Sequence, residues 1–173
     1  EEAFADIVVD GTGNGDTTSV QDAVDAAPPD AVVLVRNGTY NEAVTIDKAG
    51  QTLASKNGSS TTKIKASADT DDNRAIEVNG VDRVTVDGFN VTFNSDPSSN
   101  SEKYAIRARA TSDDLTVRNC EIGRFSTEDQ NTNSGAVRAT GVTVTSNQGP
   151  NSGGTVSDPI IENNEFVGIS CTG

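Results

Sequence analysis

Histidine is absent from the 173 residues, and so are tryptophan and methionine. Without an imidazole the chain lacks the commonest general base and the commonest transition-metal ligand, and Ser-His-Asp catalysis is excluded within it. Aromatic residues amount to two Tyr and five Phe, so a core must be thin and built mainly of Val, Ile, Ala and Leu. Cys120 and Cys171 are too few for a disulfide framework. No apolar run is long enough to cross a bilayer as a helix. There is neither an initiator Met nor a basic leader with an apolar centre, as expected of a mature or excised piece of a longer chain.

Positive charge is scarce as well. Eight Arg and five Lys stand against 17 Asp and nine Glu, a net charge of −13. Nucleic acids and anionic membranes would be repelled, so neither is an expected partner. Asp exceeding Glu, Arg exceeding Lys and a pI near 4.2 resemble proteins of salt-loving archaea. At molar salt the screening length falls to about 3 Å and such a surface repels itself far less.

What the sequence does contain is repetition. Ala75-Ile76-Glu77-Val78 is followed by Val84-Thr85-Val86-Asp87-Gly88-Phe89-Asn90-Val91; Ala105-Ile106-Arg107-Ala108 by Leu115-Thr116-Val117-Arg118-Asn119-Cys120-Glu121-Ile122; Ala136-Val137-Arg138-Ala139 by Pro159-Ile160-Ile161-Glu162-Asn163-Asn164-Glu165-Phe166. The offset is about 30 residues until an Asn/Gly/Ser-rich insertion lengthens the third copy, and a fixed period of this size marks a repeat architecture. Within each copy apolar and polar residues alternate, the period of a half-buried strand. A unit so short cannot bury its own inward face and must stack on its neighbours. Turns fall at Gly88, Asn119 and Asn163, which places Phe89, Cys120 and Asn164 at one register.

The fold expected is all-β: a single-stranded right-handed parallel β-helix, a solenoid of about six to eight coils. It forms one domain over residues 1–173, with clear repeats at 74–103, 104–134 and 135–168. Near the start, Gly11 to Asp16 is glycine-rich but lacks the Lys-Ser or Lys-Thr of a phosphate loop. Thr18 or Ser19 can cap a helix at about 19–27 whose apolar stripe is Val20, Ala23, Val24 and Ala27 and which Pro28-Pro29 ends. That helix suits the role of a lid over the first coil.

Val8-Val9-Asp10-Gly11, Thr18-Ser19-Val20-Gln21-Asp22-Ala23-Val24-Asp25-Ala26-Ala27-Pro28, Val33-Leu34-Val35 and Gly38-Thr39-Tyr40-Asn41-Glu42 resemble the opening of pectin methylesterases, within the pectin-lyase-like superfamily of right-handed β-helices. Tyr104-Ala105-Ile106-Arg107 and the segment from Leu115 to Ile122 resemble that group's later coils. The likeness is dense over about the first 50 residues and patchy to about residue 125. The repeats also resemble the generic β-helix repeat of surface proteins and copper-enzyme maturation factors, although two cysteines and no Met weaken a copper role. The resemblance implies the fold and leaves the activity open. Pectin methylesterases use two aspartates, an arginine and oxyanion-site glutamines. Here Tyr104 stands where a glutamine would lead the Gln-Ala-Val segment, Gly123-Arg124-Phe125-Ser126-Thr127 replaces the Gln-Asp-Thr segment, and Gly135 to Val142 has no carboxylate. Acyl transfer is not expected without nucleophile and oxyanion donors.

The remaining candidates are binding sites. Arg107 and Arg138 occupy equivalent places in successive copies and, with Tyr104, form a candidate outward face for an acidic polysaccharide; the alternative is an arginine face balancing Glu77, Glu121 and Asp87 in exposed ion pairs. Asp69, Asp71 and Asp72 crowd one loop and are the candidate ligands of a calcium ion, the one cofactor considered. Cys120 and Cys171 are a candidate disulfide, the alternative being two buried thiols. Asn37, Asn57 and Asn90 head glycosylation sequons. Phe4, Ile7 and Val8 form a candidate strand for donation to a neighbour. The functional expectation is an extracellular or cell-surface solenoid, assembling head-to-tail with copies of itself or covered by a further C-terminal domain. Its alternative is a polysaccharide-binding or polysaccharide-cleaving β-helix.

Overall fold

A computed structural model describes residues 6–66, 74–93, 103–108, 112–122, 139–144 and 160–166. The chain opens with β1 (Ile7–Val9) and α1 (Val20–Ala26). It then winds through β2 (Val32–Val35), β3 (Gly38–Tyr40), β4 (Val44–Ile46), β5 (Thr52–Ser55), β6 (Thr62–Ala66), β7 (Arg74–Val78), β8 (Thr85–Asp87), β9 (Asn90–Phe93), β10 (Lys103–Ala108), β11 (Thr116–Arg118), β12 (Glu121–Ile122), β13 (Ala139–Val144), β14 (Ile160–Glu162) and β15 (Glu165–Phe166). From β2 onward every third strand joins the same sheet, with β1 paired beside β2. Sheet A is β1-β2-β5-β8-β11-β14, sheet B is β3-β6-β9-β12-β15 and sheet C is β4-β7-β10-β13. All pairings are parallel, so the three sheets are the sides of a right-handed β-helix.

Strand alternation sends one residue in two to the interior. Val33, Leu53, Val86 and Val117 lie in register along sheet A, Tyr40, Ile64, Val91 and Ile122 along sheet B, and Val44, Ile76 and Ile106 along sheet C. All are buried. Each fully buried side chain of this size contributes about 1.5–3 kcal/mol, which is how a chain so poor in aromatics holds a continuous core.

The corners are built by left-handed backbone. Ahead of the sheet A strands β2, β5, β8 and β11, Asp30, Gly50, Arg83 and Asp114 have φ of 61°, 74°, 59° and 54°, each two residues before its strand. Between sheets A and B, Gly88, Asn119 and Asn163 have φ of 79°, 54° and 53°. Asn and Asp tolerate this region better than other side chains. Gly50 is required twice over, because a Cβ there would also run into the Asp30 carboxylate. The turn residues Gly88, Asn119 and Asn163 and the shared register of Phe89, Cys120 and Asn164 thus stand as expected.

One register does not. The expected third copy, Ala136 to Ala139, would set Arg138 beside Arg107. Instead β13 begins at Ala139, and Ile106 pairs with Val142 and Arg107 with Thr143. The alternation Val142-Thr143-Val144 offers the same strand pattern as Val137-Arg138-Ala139, and β10 takes the later segment.

The helix caps the solenoid as expected, with Ser19 as N-cap accepting from the Asp22 N–H and Val20, Ala23 and Val24 buried. Its anchors come from residues distant in sequence. The Glu42 carboxylate accepts from the N–H groups of Val20 and Gln21, both at 2.9 Å, and from the Ser19 hydroxyl at 2.8 Å. At the other end Gln51 Nε2 donates to the Val24 and Ala27 carbonyls at 3.0 and 2.9 Å, and Lys48 Nζ donates to Ala27 O at 3.0 Å and to Asp25 O. Both helix termini are therefore satisfied by side chains.

Candidate functional site

Sheet C carries Tyr104 and Arg107, the described members of the candidate polysaccharide face, so its outer face is the candidate site. On β10, Ile106 and Ala108 point inward, leaving Ala105 and Arg107 outward. On β7, Ile76 and Val78 point inward, leaving Ala75 and Glu77 outward. Arg107 and Glu77 are register neighbours. The Arg107 guanidinium lies 5.0 Å from the centroid of the Tyr104 ring, a cation–π stack. Arg74 pairs with Glu77 three residues along the same strand. The column across the sheet therefore reads Thr45, Glu77, Arg107, Thr143.

Outward does not mean exposed here. Glu77 is 1% exposed, and Arg107 and Tyr104 are each 6% exposed. Among the described residues no ion pair includes Arg107, and its buried Nε makes no hydrogen bond. The expected solvent-facing arginine stripe is thus corrected on two counts: Arg107 is covered, and its neighbour in the next coil is Thr143. Arg138 lies outside the described residues. The exposed ion pairs form elsewhere, with Arg118 Nε to Asp87 Oδ2 at 2.9 Å on the outer face of sheet A.

The other candidates fall as follows. Asp69, Asp71 and Asp72 lie outside the described residues. Among those described, no group of three or more Cys, Asp or Glu is arranged to hold a metal ion. Cys120 is a free, buried thiol, the alternative weighed against a bridge to Cys171, which is outside the described residues. The register explains this: the position beside Cys120 in the next coil is filled by Asn164, whose Oδ1 accepts from Cys120 N–H at 2.9 Å. Burial, set against hydrogen bonds at Phe89 and Gly88, pushes the Cys120 thiol up to about 11. Asn37 and Asn57 are exposed in turns, whereas Asn90 is 9% exposed on β9 and cannot present its amide as a sequon requires. Phe4 lies outside the described residues. Ile7 and Val8 are engaged within the chain: one edge of β1 pairs with β2, and the other is met by Asp16, which donates its N–H to Val8 O at 2.8 Å and accepts from Val8 N–H through Oδ2 at 2.8 Å.

Chemically, the outward residues of sheet C offer a buried cation with an unmatched N–H, stacked on the Tyr104 ring at the start of β10, and, among the described residues, one carboxylate already paired with arginine. That set does not make a nucleophile with an oxyanion site or a pair of carboxylates for acid–base work.

No protein-family model and no curated protein sequence matches the chain. Solved structures do. A pectin methylesterase in complex with a hexasaccharide superimposes with a TM-score of 0.57 at 20% identity, covering 72% of this chain and 44% of that one. The pectin methylesterase PemA from Erwinia chrysanthemi gives 0.58 at 17% identity, covering 84% of this chain and 50% of that one. The chain spans about half the length of these enzymes, and at such identity the likeness concerns the fold. Among the described residues no helix is long and apolar enough to cross a membrane. With three parallel sheets, left-handed corners and a capping helix, the chain has the pectin-lyase-like right-handed parallel β-helix fold.

Proposed function

We propose that the chain is a non-catalytic solenoid module of a protein displayed at the cell exterior, with a structural role. The observation that carries this reading is the closed outer face of sheet C: Glu77 and Arg107 are 1% and 6% exposed, and Tyr104 stands in place of a catalytic-site glutamine. The sealed first coil favours a module of a larger surface protein over a head-to-tail filament, because stacking a second copy on that end would have to displace α1. A net charge of −13 suits a surface bathed in concentrated salt.

Two assays test the reading. Incubated with methyl-esterified polygalacturonate, the chain is expected to release no methanol, and it is expected to sediment as a monomer from dilute to near-saturated salt. Methanol release abolished by Glu77→Gln would overturn the non-catalytic assignment; filaments in salt would restore self-assembly. An antibody to the chain should label intact producing cells, and labelling seen only after permeabilisation would end the surface assignment.

A second reading is supported by the unmatched Arg107 Nε. A uronate carboxylate would satisfy it once the cover over Arg107, 6% exposed, moved aside, and one structural neighbour was solved with a hexasaccharide. This predicts that calorimetry detects binding of an acidic oligosaccharide that Arg107→Met loses. Absence of binding by the parent chain disposes of it.

A further inference from the structure

Two of the three sequons are brought together by the coil stacking. Asn37-Gly38-Thr39 and Asn57-Gly58-Ser59 occupy the corner between sheets A and B in consecutive coils, because β2 pairs with β5 through Val35 and Ser55, and β3 with β6 through Gly38 and Thr62. The two side-chain amides touch, Asn57 Nδ2 donating to Asn37 Oδ1 at 2.7 Å. Both asparagines are exposed, and so is Thr39, which supplies the hydroxyl of the first sequon. Asn90 is 9% exposed in the middle of sheet B, flanked in register by Lys63 and Glu121.

We infer that Asn37 and Asn57 form one paired glycan-acceptor site that carries a single N-linked glycan, placed on Asn37, and that Asn90 carries none. The nucleophile in this modification is the amide nitrogen. Asn57 Nδ2 is engaged in its bond to Asn37, whereas the Asn37 nitrogen donates to no described residue. In the transfer, Asn37 Nδ2 forms a bond to the anomeric carbon of an oligosaccharide carried on a polyprenyl phosphate. The bond from that carbon to the phosphate oxygen breaks, the lipid phosphate leaves with the bonding electrons, and one amide proton is lost. Strands of adjacent coils are about 4.8 Å apart. A sugar ring on Asn37 therefore fills the approach to Asn57, and the second transfer is blocked. With Asn37 removed, Asn57 loses its acceptor partner and becomes free to react. The glycan would project from one corner of the solenoid, away from sheet C.

This inference rests on the reading of the chain as an exterior protein for its relevance in the cell, and the test is arranged so that the two can fail separately. The full chain is secreted from a glycosylating yeast behind an added signal, with a flexible tail bearing one extra Asn-Gly-Thr sequon as an internal acceptor. Intact mass and glycopeptide mapping are then read for the parent and for Asn37→Ala, Asn57→Gln, the double variant and Asn90→Gln. Expected are one glycan besides the tail in the parent, mapped to Asn37, and the same in Asn57→Gln and Asn90→Gln. It should move to Asn57 in Asn37→Ala, which removes the acceptor oxygen, and be absent from the double variant. Molecules glycosylated at Asn37 and Asn57 together, predominant use of Asn57 in the parent, occupancy of Asn90, or a glycosylated tail with neither corner asparagine modified would each overturn the inference. None of these outcomes depends on where the protein naturally works.

Discussion

Gln21 lies along the free edge of β4 and pairs with Thr45 as a strand would, its Oε1 accepting from Thr45 N–H at 2.7 Å and its Nε2 donating to Thr45 O at 3.1 Å. A side-chain amide has the donor and acceptor of a peptide group, so α1 supplies the edge strand that sheet C lacks at this end. Gln21→Ala should lower stability by about 1–3 kcal/mol, since two half-buried backbone groups lose their partners. Urea denaturation should show a lower midpoint with an unchanged slope.

Glu42 should matter more. One carboxylate serves three donors at the start of α1, and bonds to a charged acceptor at a helix N-terminus are among the stronger ones. Glu42→Ala is expected to cost about 2–4 kcal/mol, and Glu42→Gln less, because the amide retains one acceptor oxygen. Equal effects of the two variants in the same urea assay would show that the carboxylate charge and geometry are not what hold the cap.

Much of this architecture is legible in the sequence because a solenoid repeats its instructions. The alternation of Val84-x-Val86 and Leu115-x-Val117 and the turn residues Gly88, Asn119 and Asn163 each report the same corner and the same inward face. Parity says which way Arg107 points but not what covers it, so its burial could not be read. Register is ambiguous where two segments share one pattern, as Val137-Arg138-Ala139 and Val142-Thr143-Val144 do. The polar anchors of the cap, Glu42, Lys48 and Gln51, are distant from α1 in sequence and carry no local signal. The Gln51 side chain, 1% exposed, would have been assigned to the surface from its type alone.

The first turn gives a pH signature. Asp10 is held at about 2, below the ordinary 3.8 of an aspartate, chiefly by the Thr12 hydroxyl and N–H and then by Arg36, with burial opposing them. Its ionised form is thus favoured by folding, and this contribution is complete above about pH 4 and lost as pH falls through about 2. The stability difference between the parent and Asp10→Ala should therefore shrink over that window and be flat from pH 5 to 8. A difference that stays constant down to pH 2 would mean that the carboxylate charge is not stabilised at all.

On sheet C the two buried charges should behave differently. Glu77 is the counter-ion of Arg74 and the register neighbour of Arg107, so Glu77→Gln removes the acid while leaving both cations in place. Removal of one partner from a buried pair typically costs about 3–5 kcal/mol. Arg107 has no ion-pair partner among the described residues, and Arg107→Met, which keeps the stem against Tyr104, should change stability by less than about 1 kcal/mol or raise it. If Arg107→Met were the more damaging variant, the cation–π stack would outweigh the acid in holding this face.

Cys120 reports on the coils of β11 to β15 without any substitution. Its thiol sits inside the turn, with Sγ donating to Arg118 O at 3.2 Å and its N–H given to Asn164, and burial raises it to about 11. At pH 8 only about one molecule in a thousand would carry the reactive thiolate even if reagent could reach it. Alkylation of Cys120 in the folded chain should therefore be slow and should rise to the rate of a free thiol in urea. The dependence on denaturant separates two cases. A labelling rate that follows global unfolding means the coil containing Asn164 is as stable as the rest. Labelling at urea concentrations well below the midpoint means that this coil opens before the rest, as one unit of a stacked solenoid can. Rapid labelling without urea would contradict the burial of the thiol itself.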